Sequence, residues 1–421
     1  MTEVADSPAT GKTVADARTI GVVGGGAVGL AAALALRHAV RGRYDVTVYD
    51  PALAREPVHE KGRAYALARG SQLMLGVLGV WDRLAGDVEP VTRMRITDSR
   101  LGDAVRQPLL SFDEEEAGDG PLAHMVEGDA LIAALRDAAS EAGIRFVAAG
   151  VSNVEASASR PARLTLADGS VHHAALVVAA DGRNSPLRRR AGIGWTGRSY
   201  GQAGIVATIG HERPHEGVAV QHFLPAGTFA MLPLTGNRSS IVWVEPEDEA
   251  RFLVTLDSED IIRAVTRRFG DTLGPLTLLD TPRAFPLAIG VARRFTGERL
   301  ALVGDAAHIV HPLAGLGLNV GFRDVAALAE AVAANVRLGL DPAGGRVLEA
   351  YERARRFDVV STGAAVDVMN RLFSNDIFPV RIARDLGAGI VDRLPGVKRL
   401  LAREAAGLTG AAPRLLRGEG L

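Results

Sequence analysis

The chain has 421 residues, of which 47% are hydrophobic and 23% charged, and its formal net charge is −1. That length is enough for two or three domains with a large core. The net charge near zero gives no indication of a nucleic-acid-binding surface. Cysteine is absent and the ten histidines form no ligand pattern, so we expect no disulfide, no thiolate catalysis and no metal site.

The N-terminal region begins with a polar stretch, residues 1–17, which does not look like a signal peptide. The apolar run 20–36 is almost long enough to cross a bilayer, but it contains Gly24, Gly26 and Gly29. We therefore predict a strand at 19–23 and a helix at 27–39, followed by a strand at 46–49. This is a βαβ unit of about thirty residues.

The glycines form the fingerprint G-x-G-x-x-G, which NAD, NADP and FAD proteins share. Gly24 is expected to make the tight turn, Gly26 to let the backbone approach a pyrophosphate, and Gly29 to let the helix pack on the strand. Ala27 and Val28 then present the helix N-terminus to the phosphates. An ordinary glycine-rich turn is the alternative.

Asp50 follows the second strand, where a carboxylate can accept hydrogen bonds from the adenosine ribose. An acid there disfavours the 2′-phosphate of NADP. Arg63 is the next candidate, because a guanidinium suits bidentate phosphate contact, although it could also be a surface arginine.

The middle of the chain alternates between helical and strand-like patterns. We predict a helix at 67–84, strands at 91–110, a solvated acidic loop at 113–116, a helix at 129–142 and strands at 145–180. An antiparallel sheet is predicted at 202–245, a helix at 258–269, and mainly helix from 318 onward. The pattern indicates an α/β cofactor domain interrupted by a β-rich domain, followed by a helical tail.

A buried strand ending near residue 180 is followed by Asp181-Gly182, and Ser185-Pro186 then have the pattern of an N-cap and a first helical residue. The Asp-Gly pair is similar to a motif that aromatic hydroxylases use near FAD and the nicotinamide donor. By itself the pair is only a turn. We interpret residues 188–190, three arginines, as a solvated helix face.

The segment 300–324 carries a strand at 300–303, then Gly304 and Asp305, and a helix predicted to start near Leu318. It resembles the riboflavin-binding part of the aromatic-hydroxylase flavoproteins, and together with the N-terminal fingerprint it implies FAD. Asp305 would bind the ribityl hydroxyls. The turn from Pro312 through Gly315 to Gly317 would cross the isoalloxazine ring, and the amides of Leu318 and Asn319 would stabilise its reduced form.

Two histidines in this segment could be general bases. His308 belongs to the cofactor-lining motif, and we interpret it as structural. His311, which precedes Pro312, could face the substrate. We therefore take His311 and Pro312 as the catalytic candidates.

The chain resembles, essentially end to end, the ubiquinone-biosynthesis FAD-dependent hydroxylases (the UbiH/UbiF/VisC type) within the class A flavoprotein aromatic hydroxylases. The shared motifs lie at residues 63–67, 98–101, 124–127, 223–225, 241–243, 403–408 and 413–418. Two positions depart from the family pattern. Leu316 stands where Gln is common, and Gly128-Asp129 where Asn-Arg is common.

The resemblance implies a Rossmann-like FAD-binding domain with an inserted β-sheet substrate domain, as in para-hydroxybenzoate hydroxylase, and a helical C-terminal tail. We predict the FAD-binding domain at 18–90, 124–200 and 284–340, the substrate domain at 91–123 and 201–283, and the helical C-terminal region at 341–421.

The implied activity is hydroxylation of a polyprenylated phenol through a C4a-hydroperoxyflavin, with FAD as cofactor, molecular oxygen as co-substrate and NAD(P)H as electron donor. The alternatives are a hydroxylase of a soluble phenol and a non-catalytic flavin-binding subunit of a quinone-biosynthesis complex. We expect a cytoplasmic protein or one on the inner face of the plasma membrane, of open oligomeric state. A tail face with Leu386, Ile390 and Leu394 could contact lipid or simply pack on the core. Basic residues lie near it: Arg381, Arg384, Arg393, Lys398, Arg399 and Arg403.

Overall fold

The computed structural model describes residues 18–54, 63–98, 108–114, 120–224, 226–311, 315–373 and 412–421. The catalytic candidate Pro312, the residues 99–101 and 225 of the family motifs, and residues 376–411 of the tail lie outside these ranges. None of the described helices is both long enough and apolar enough to cross a membrane.

A six-stranded sheet forms the centre of the cofactor-binding region. In spatial order its strands are β19 (Thr296–Gly297), β20 (Leu300–Leu302), β12 (Leu176–Ala179), β1 (Thr19–Val23), β2 (Asp45–Tyr49) and β8 (Arg145–Val147). All pairings are parallel except that of β19 with β20. The central strands β1, β12 and β20 are buried and, apart from Thr19 at the start of β1, apolar, as expected for a sheet covered on both faces. Their carboxyl ends meet at one edge, which is where such sheets bind ligands.

Helices cover this sheet and the rest of the structure. Their bounds are α1 Ala27–Val40, α2 Arg69–Val77, α3 Gly128–Glu141, α4 Pro186–Arg190, α5 Glu247–Leu253, α6 Ser258–Phe269, α7 Leu316–Arg337 and α8 Gly345–Phe373. Helix α1 packs against both α3 and α7. The contact with α7 is close because Gly321 has no side chain, and an added Cβ there would stand 2.9 Å from Val28 Cγ2.

A nine-stranded sheet forms the second layer. Its strands, from edge to edge, are β21 (His308–Ile309), β18 (Arg283–Ala292), β13 (Trp195–His211), β16 (Arg238–Pro246), β15 (Gly227–Leu234), β14 (Val218–Leu224), β5 (Arg93–Asp98) and β6 (Pro108–Asp113), with β17 (Leu276–Leu278) paired to β13. Helices α5 and α6 cover one face with a core that includes Phe229, Trp243 and Ile261. Because side chains alternate along a strand, the other face carries a separate set of residues.

Two three-stranded sheets complete the described strands. They are β9 (Val151–Ser157), β10 (Arg160–Leu166) and β11 (Val171–Ala174), and β3 (Ala64–Leu67), β4 (Val88–Val91) and β7 (Ala123–Glu127). Short 3₁₀ turns occur at Pro51–Ala54, Trp81–Leu84, Gly304–Ala306 and Arg414–Arg417. The last of these packs Leu415 and Leu416 into the main core.

The predicted elements agree well with the structure where the hydrophobic pattern is long. The strand at 19–23 and the helix at 258–269 have the predicted bounds. The single helix predicted at 67–84 is wrong: Leu67 ends β3, α2 stops at Val77, and a 3₁₀ turn follows. Gly79, with φ +70°, breaks the helix. The domain limits stay a prediction, and β13 and β18 run across those at 200 and 284.

Candidate active site

The turn between β1 and α1 requires its glycines for steric reasons. Gly24 has φ +114°, and a Cβ there would stand 2.2 Å from the carbonyl oxygen of Ala180. A Cβ on Gly29 would lie 2.0 Å from the oxygen of Gly24, so the helix could not pack on the strand. By contrast, a Cβ on Gly26 would meet nothing within 4 Å. The turn therefore has no room for a side chain at Gly24 or Gly29, where it packs on the protein. At Gly26 it is open.

The open side of this turn faces a cavity of about 690 Å³ between the six-stranded and the nine-stranded sheet. Eleven of the residues predicted to bind the cofactor line it: Gly26, Ala27, Val28, Gly29, Arg63, Gly182, Asp305, Gly315, Gly317, Leu318 and Asn319. They come from segments far apart in the sequence, so the fold brings together most of the predicted set.

A second helix end points at the same cavity. Helix α7 begins at Leu316, two residues before the predicted start, because Gly315 takes φ +65° as its N-cap. The Asn319 side chain accepts hydrogen bonds from the amide of Ala68 and from Ser71 Oγ, at 2.9 and 2.7 Å. It also donates to the carbonyls of Ala66 and Gly315. The side chain therefore holds the loop in place, and the amides of the first turn remain for a ligand.

A buried carboxylate, that of Asp324, holds the loop after β20 in place. Asp324 Oδ2 accepts from the amide of Gly304 at 2.9 Å and from His308 Nε2 at 2.6 Å. Its Oδ1 accepts from Arg355 Nε at 2.8 Å. Burial alone would raise the pKa of Asp324, but the charges of His308 and Arg355 outweigh burial and lower it. This bonding agrees with a structural role for His308, which also lines the cavity.

Four of the described predicted cofactor residues are not among those that line this cavity: Gly24, Asp50, Asp181 and Gly304. Asp50 accepts from the amides of Gly25 and Ala52, at 2.6 and 2.7 Å. Asp181 accepts from the amide of Leu187 at 3.2 Å, and burial raises its pKa. In the structure these carboxylates therefore order the loops that carry the lining residues.

Helix α4 begins as predicted, with Ser185 as N-cap accepting from the amide of Arg188. The interpretation of residues 188–190 as a solvated face is wrong for Arg188, which is buried. Its guanidinium donates to the carbonyls of Ala306 and Arg183, at 2.8 and 3.0 Å, and lies 4.2 Å from the centre of the Trp195 ring. It thus fixes the cofactor loop after Gly304.

His311 is fully buried, with its ring edge-on to Tyr200 at 5.1 Å between centroids. Neither ring nitrogen has a hydrogen-bond partner among the described residues. Burial lowers the pKa to about 4, which Asp367 only partly offsets, so the ring is neutral at pH 7. His311 is not among the described lining residues, and its catalytic role stays a prediction.

Sequence reasoning did not identify the opposite wall of the cavity, which the nine-stranded sheet provides. Its residues include Met94, Val206, Ala219, Gln221, Thr228, Ala230, Leu232, Ser240 and Val242. Their alternation along each strand was visible in the sequence. Which face of the sheet meets the cofactor region was not, because that depends on tertiary packing.

These residues fit the expected FAD. An elongated, anionic cofactor needs amide donors and close backbone approach, and two glycine-capped helices direct their N-termini into one cavity. Neither helix has an acidic residue in its first turn. Asp305 lines the cavity and is exposed to it, so its carboxylate is free to accept from hydroxyl groups.

Comparison with known proteins gives a consistent result. Residues 16–362 match the family model described as the FAD binding domain. Ubiquinone hydroxylase UbiL of Rhodospirillum rubrum is 41% identical over 431 residues, which covers 98% of this chain and 96% of the relative. The 3-demethoxyubiquinol 3-hydroxylase of Escherichia coli is 34% identical, covering 92% of this chain and 98% of the relative.

Among solved structures, p-nitrophenol 4-monooxygenase PnpA from Pseudomonas putida superimposes with a TM-score of 0.76. The superposition covers 94% of this chain and 99% of that one, at 20% identity. At this identity the likeness concerns the fold, and it agrees with the predicted arrangement of an α/β cofactor region and a substrate sheet.

Proposed function

This chain belongs to the family of the FAD binding domain, and on that premise we propose that it is an FAD-dependent monooxygenase of ubiquinone biosynthesis. It hydroxylates the aromatic ring of a polyprenylated phenol. The observation that carries the proposal is the end-to-end identity of 41% with a ubiquinone hydroxylase. The cavity supports it, because one side has the donors for FAD and the other is a mainly apolar sheet.

In this proposal the residues of both helix N-termini hold the cofactor. The amides of Ala27 and Val28 bind the pyrophosphate and Arg63 adds a charge to it, while Asp305 accepts from the ribityl hydroxyls. The amide of Leu318 and the dipole of α7 favour negative charge on the flavin ring. When bound, FAD supplies the activation of molecular oxygen that places one oxygen atom on the ring.

The sheet wall has a different task. Its side chains would hold the aromatic ring against the cofactor and exclude water, which limits unproductive side reactions. The ring supplies its own electrons, so a general base in contact with it is not essential. His311 is neutral at pH 7 and is not among the described lining residues, which is consistent with that chemistry.

The lipid nature of the substrate leads to a proposal about location. A polyprenylated phenol must be taken from a membrane, so we place the protein in the cytoplasm or at the inner face of the plasma membrane, with NAD(P)H as donor. Replacing Lys398, Arg399 and Arg403 by Gln should weaken flotation with anionic liposomes. Unchanged flotation of the folded variant would rule out contact through these charges.

The function is tested by complementation. Bacterial strains that each lack one ring hydroxylase are given this gene, and their quinone lipids are analysed by mass spectrometry. Restored ubiquinone in one strain identifies the substrate class and the ring carbon. If an expressed, FAD-loaded protein restores none, the substrate proposal fails.

A further inference from the structure

Three polar side chains interrupt the apolar wall that the nine-stranded sheet presents to the cavity. Gln221 is 7% exposed, Thr228 5% and Ser240 2%, and all three line the cavity. No hydrogen bond joins any of these side chains to another group in the described parts of the chain. Apart from His308 in the edge strand β21, which is bonded to Asp324, the other described lining residues of this sheet are aliphatic or aromatic side chains, proline or glycine.

The sheet register places the three around one small residue, Ala230. Gln221 is paired directly with Ala230, and Thr228 lies two residues before it on the same face of β15. Ser240 is paired with Leu232, so it is a diagonal neighbour of Ala230 on the other side. Such neighbours lie about 5–8 Å apart. Thr228 and Ser240 lie on opposite sides of Ala230, with Cα atoms about 14 Å apart, and Gln221 lies between them beside Ala230.

Other buried hydroxyls of this sheet are paired. Thr97 Oγ1 lies 2.6 Å from His222 Nδ1, Ser239 Oγ lies 3.0 Å from His211 Nε2, and Thr208 donates to a carboxylate of Asp280. The polar atoms of Gln221, Thr228 and Ser240 differ, because they are open to the cavity and have no protein partner among the described residues. Their hydrogen-bonding capacity is therefore available to a molecule that enters the cavity.

We propose that Gln221, Thr228 and Ser240 form the subsite that recognises oxygen substituents of the aromatic substrate. Hydroxyl and amide groups donate and accept, so they suit hydroxy and methoxy groups. The three side chains are uncharged, so the subsite fits a neutral oxygen substituent and not a ring carboxylate. The apolar remainder of the wall receives the ring faces and the start of the prenyl chain. This inference rests on the proposed function, whose substrate ring it specifies.

The test compares two short probes, a prenylated methoxyphenol and the same prenylated benzene without ring oxygens. Their binding to the FAD-loaded protein is followed by the change in flavin absorbance. Wild type should bind the oxygenated probe at least tenfold more tightly. The variant with Gln221→Leu, Thr228→Val and Ser240→Ala should bind the two probes within threefold of each other.

Ser239→Ala is the matched control, because its hydroxyl is on the opposite face of the same strand and pairs with His211. It should keep the full preference for the oxygenated probe, even if it unfolds more easily. The triple variant loses no hydrogen bond of the described structure, so its thermal stability and FAD content should match wild type.

The outcomes separate the subsite from the function. If wild type prefers the oxygenated probe and the triple variant keeps that preference, the subsite is wrong and the proposed function stands. If wild type binds both probes equally, the subsite is also wrong. If FAD-loaded wild type binds neither, the substrate class of the proposed function fails, and the subsite fails with it.

Discussion

His308 donates a hydrogen bond through Nε2 to Oδ2 of Asp324 at 2.6 Å, and both side chains are buried. The same carboxylate holds the amide of Gly304 and the guanidinium of Arg355. One buried charge thus links the loop that lines the cofactor cavity to the two long helices behind it.

Asp324→Asn should therefore destabilise the protein strongly. The change keeps the shape but leaves the Arg355 charge buried with a weaker partner, which costs about 3–5 kcal/mol when a buried pair is broken. Urea unfolding of the apoprotein measures this free energy. Asp260→Asn, which removes an exposed pair with Arg263, is the control and should change it by less than about 0.5 kcal/mol. Equal effects of the two changes would contradict the buried role.

The stability should also depend on pH through His311. Its pKa is about 4 in the folded protein and near 6.5 when unfolded, so the unfolded state binds more protons between those values. Stability is then fully present above the unfolded pKa and falls as the pH drops towards 4. For this one group the loss at pH 5 is about 2 kcal/mol.

His311→Phe provides the measurement. The aromatic contact with Tyr200 is kept and two unpaired polar atoms are removed, so the fall in unfolding free energy from pH 7.5 to pH 5 should be smaller than in wild type. His124, whose pKa burial and Arg69 also lower to about 4, contributes to the remaining fall, as do His38 and His211, whose pKa values burial lowers. An identical fall in wild type and variant would show that His311 is not buried in this way.

Alanine substitutions at two glycines of the turn between β1 and α1 should have different effects, one on FAD binding and the other on stability. Gly26→Ala places a methyl group in the cavity without meeting protein, so FAD retention should drop while the apoprotein loses about 1 kcal/mol from a poorer N-cap. Gly29→Ala collides with the oxygen of Gly24, and it should unfold the protein whether or not FAD is present. The flavin-to-protein absorbance ratio and urea unfolding distinguish the two. Full FAD occupancy in Gly26→Ala would refute the pyrophosphate assignment.

Asp305→Ala should lower FAD retention without affecting the fold. Asp305 is exposed to the cavity, and the described structure gives its carboxylate no hydrogen bond to lose. Fluorescence titration of the apoprotein with FAD should show affinity weakened about tenfold, the loss of a charge-assisted hydrogen bond. Asp271→Ala, an exposed carboxylate on another loop, is the control. Wild-type affinity in Asp305→Ala would remove this residue from the site.

The parts of the molecule that the sequence predicts well are those set by local pattern. The strand at 19–23, the glycine turn and the helix cap at Ser185 depend on residues within a few positions of one another. Their periodicity and steric requirements are visible without tertiary information. The eleven lining residues of the predicted cofactor set belong to such local motifs.

The parts that local pattern cannot predict depend on partners distant in the sequence. Arg188 is buried because the carbonyl of Ala306 accepts from it, and Asn319 is a structural clamp because Ala66 and Ala68 lie beside it. The polar patch around Ala230 needs three strands in register. The sequence on either side of Arg188, Asn319 or Ala230 does not indicate any of these arrangements.

The order of strands in the central sheet has a consequence for how the protein is made. Strand β1 pairs with β12, as Ile20 with Leu176, and β12 with β20, as Val178 with Ala301. During synthesis β1 can pair early with β2 on one side, but its other side stays unpaired until β12 is made, and β12 in turn lacks one neighbour until β20 is made. Parallel pairing over such separations is slow, and unpaired apolar strands aggregate. The six-stranded sheet is therefore incomplete until the chain has been made through residue 302, and we expect chaperone co-expression or a lower temperature to raise the yield of folded protein.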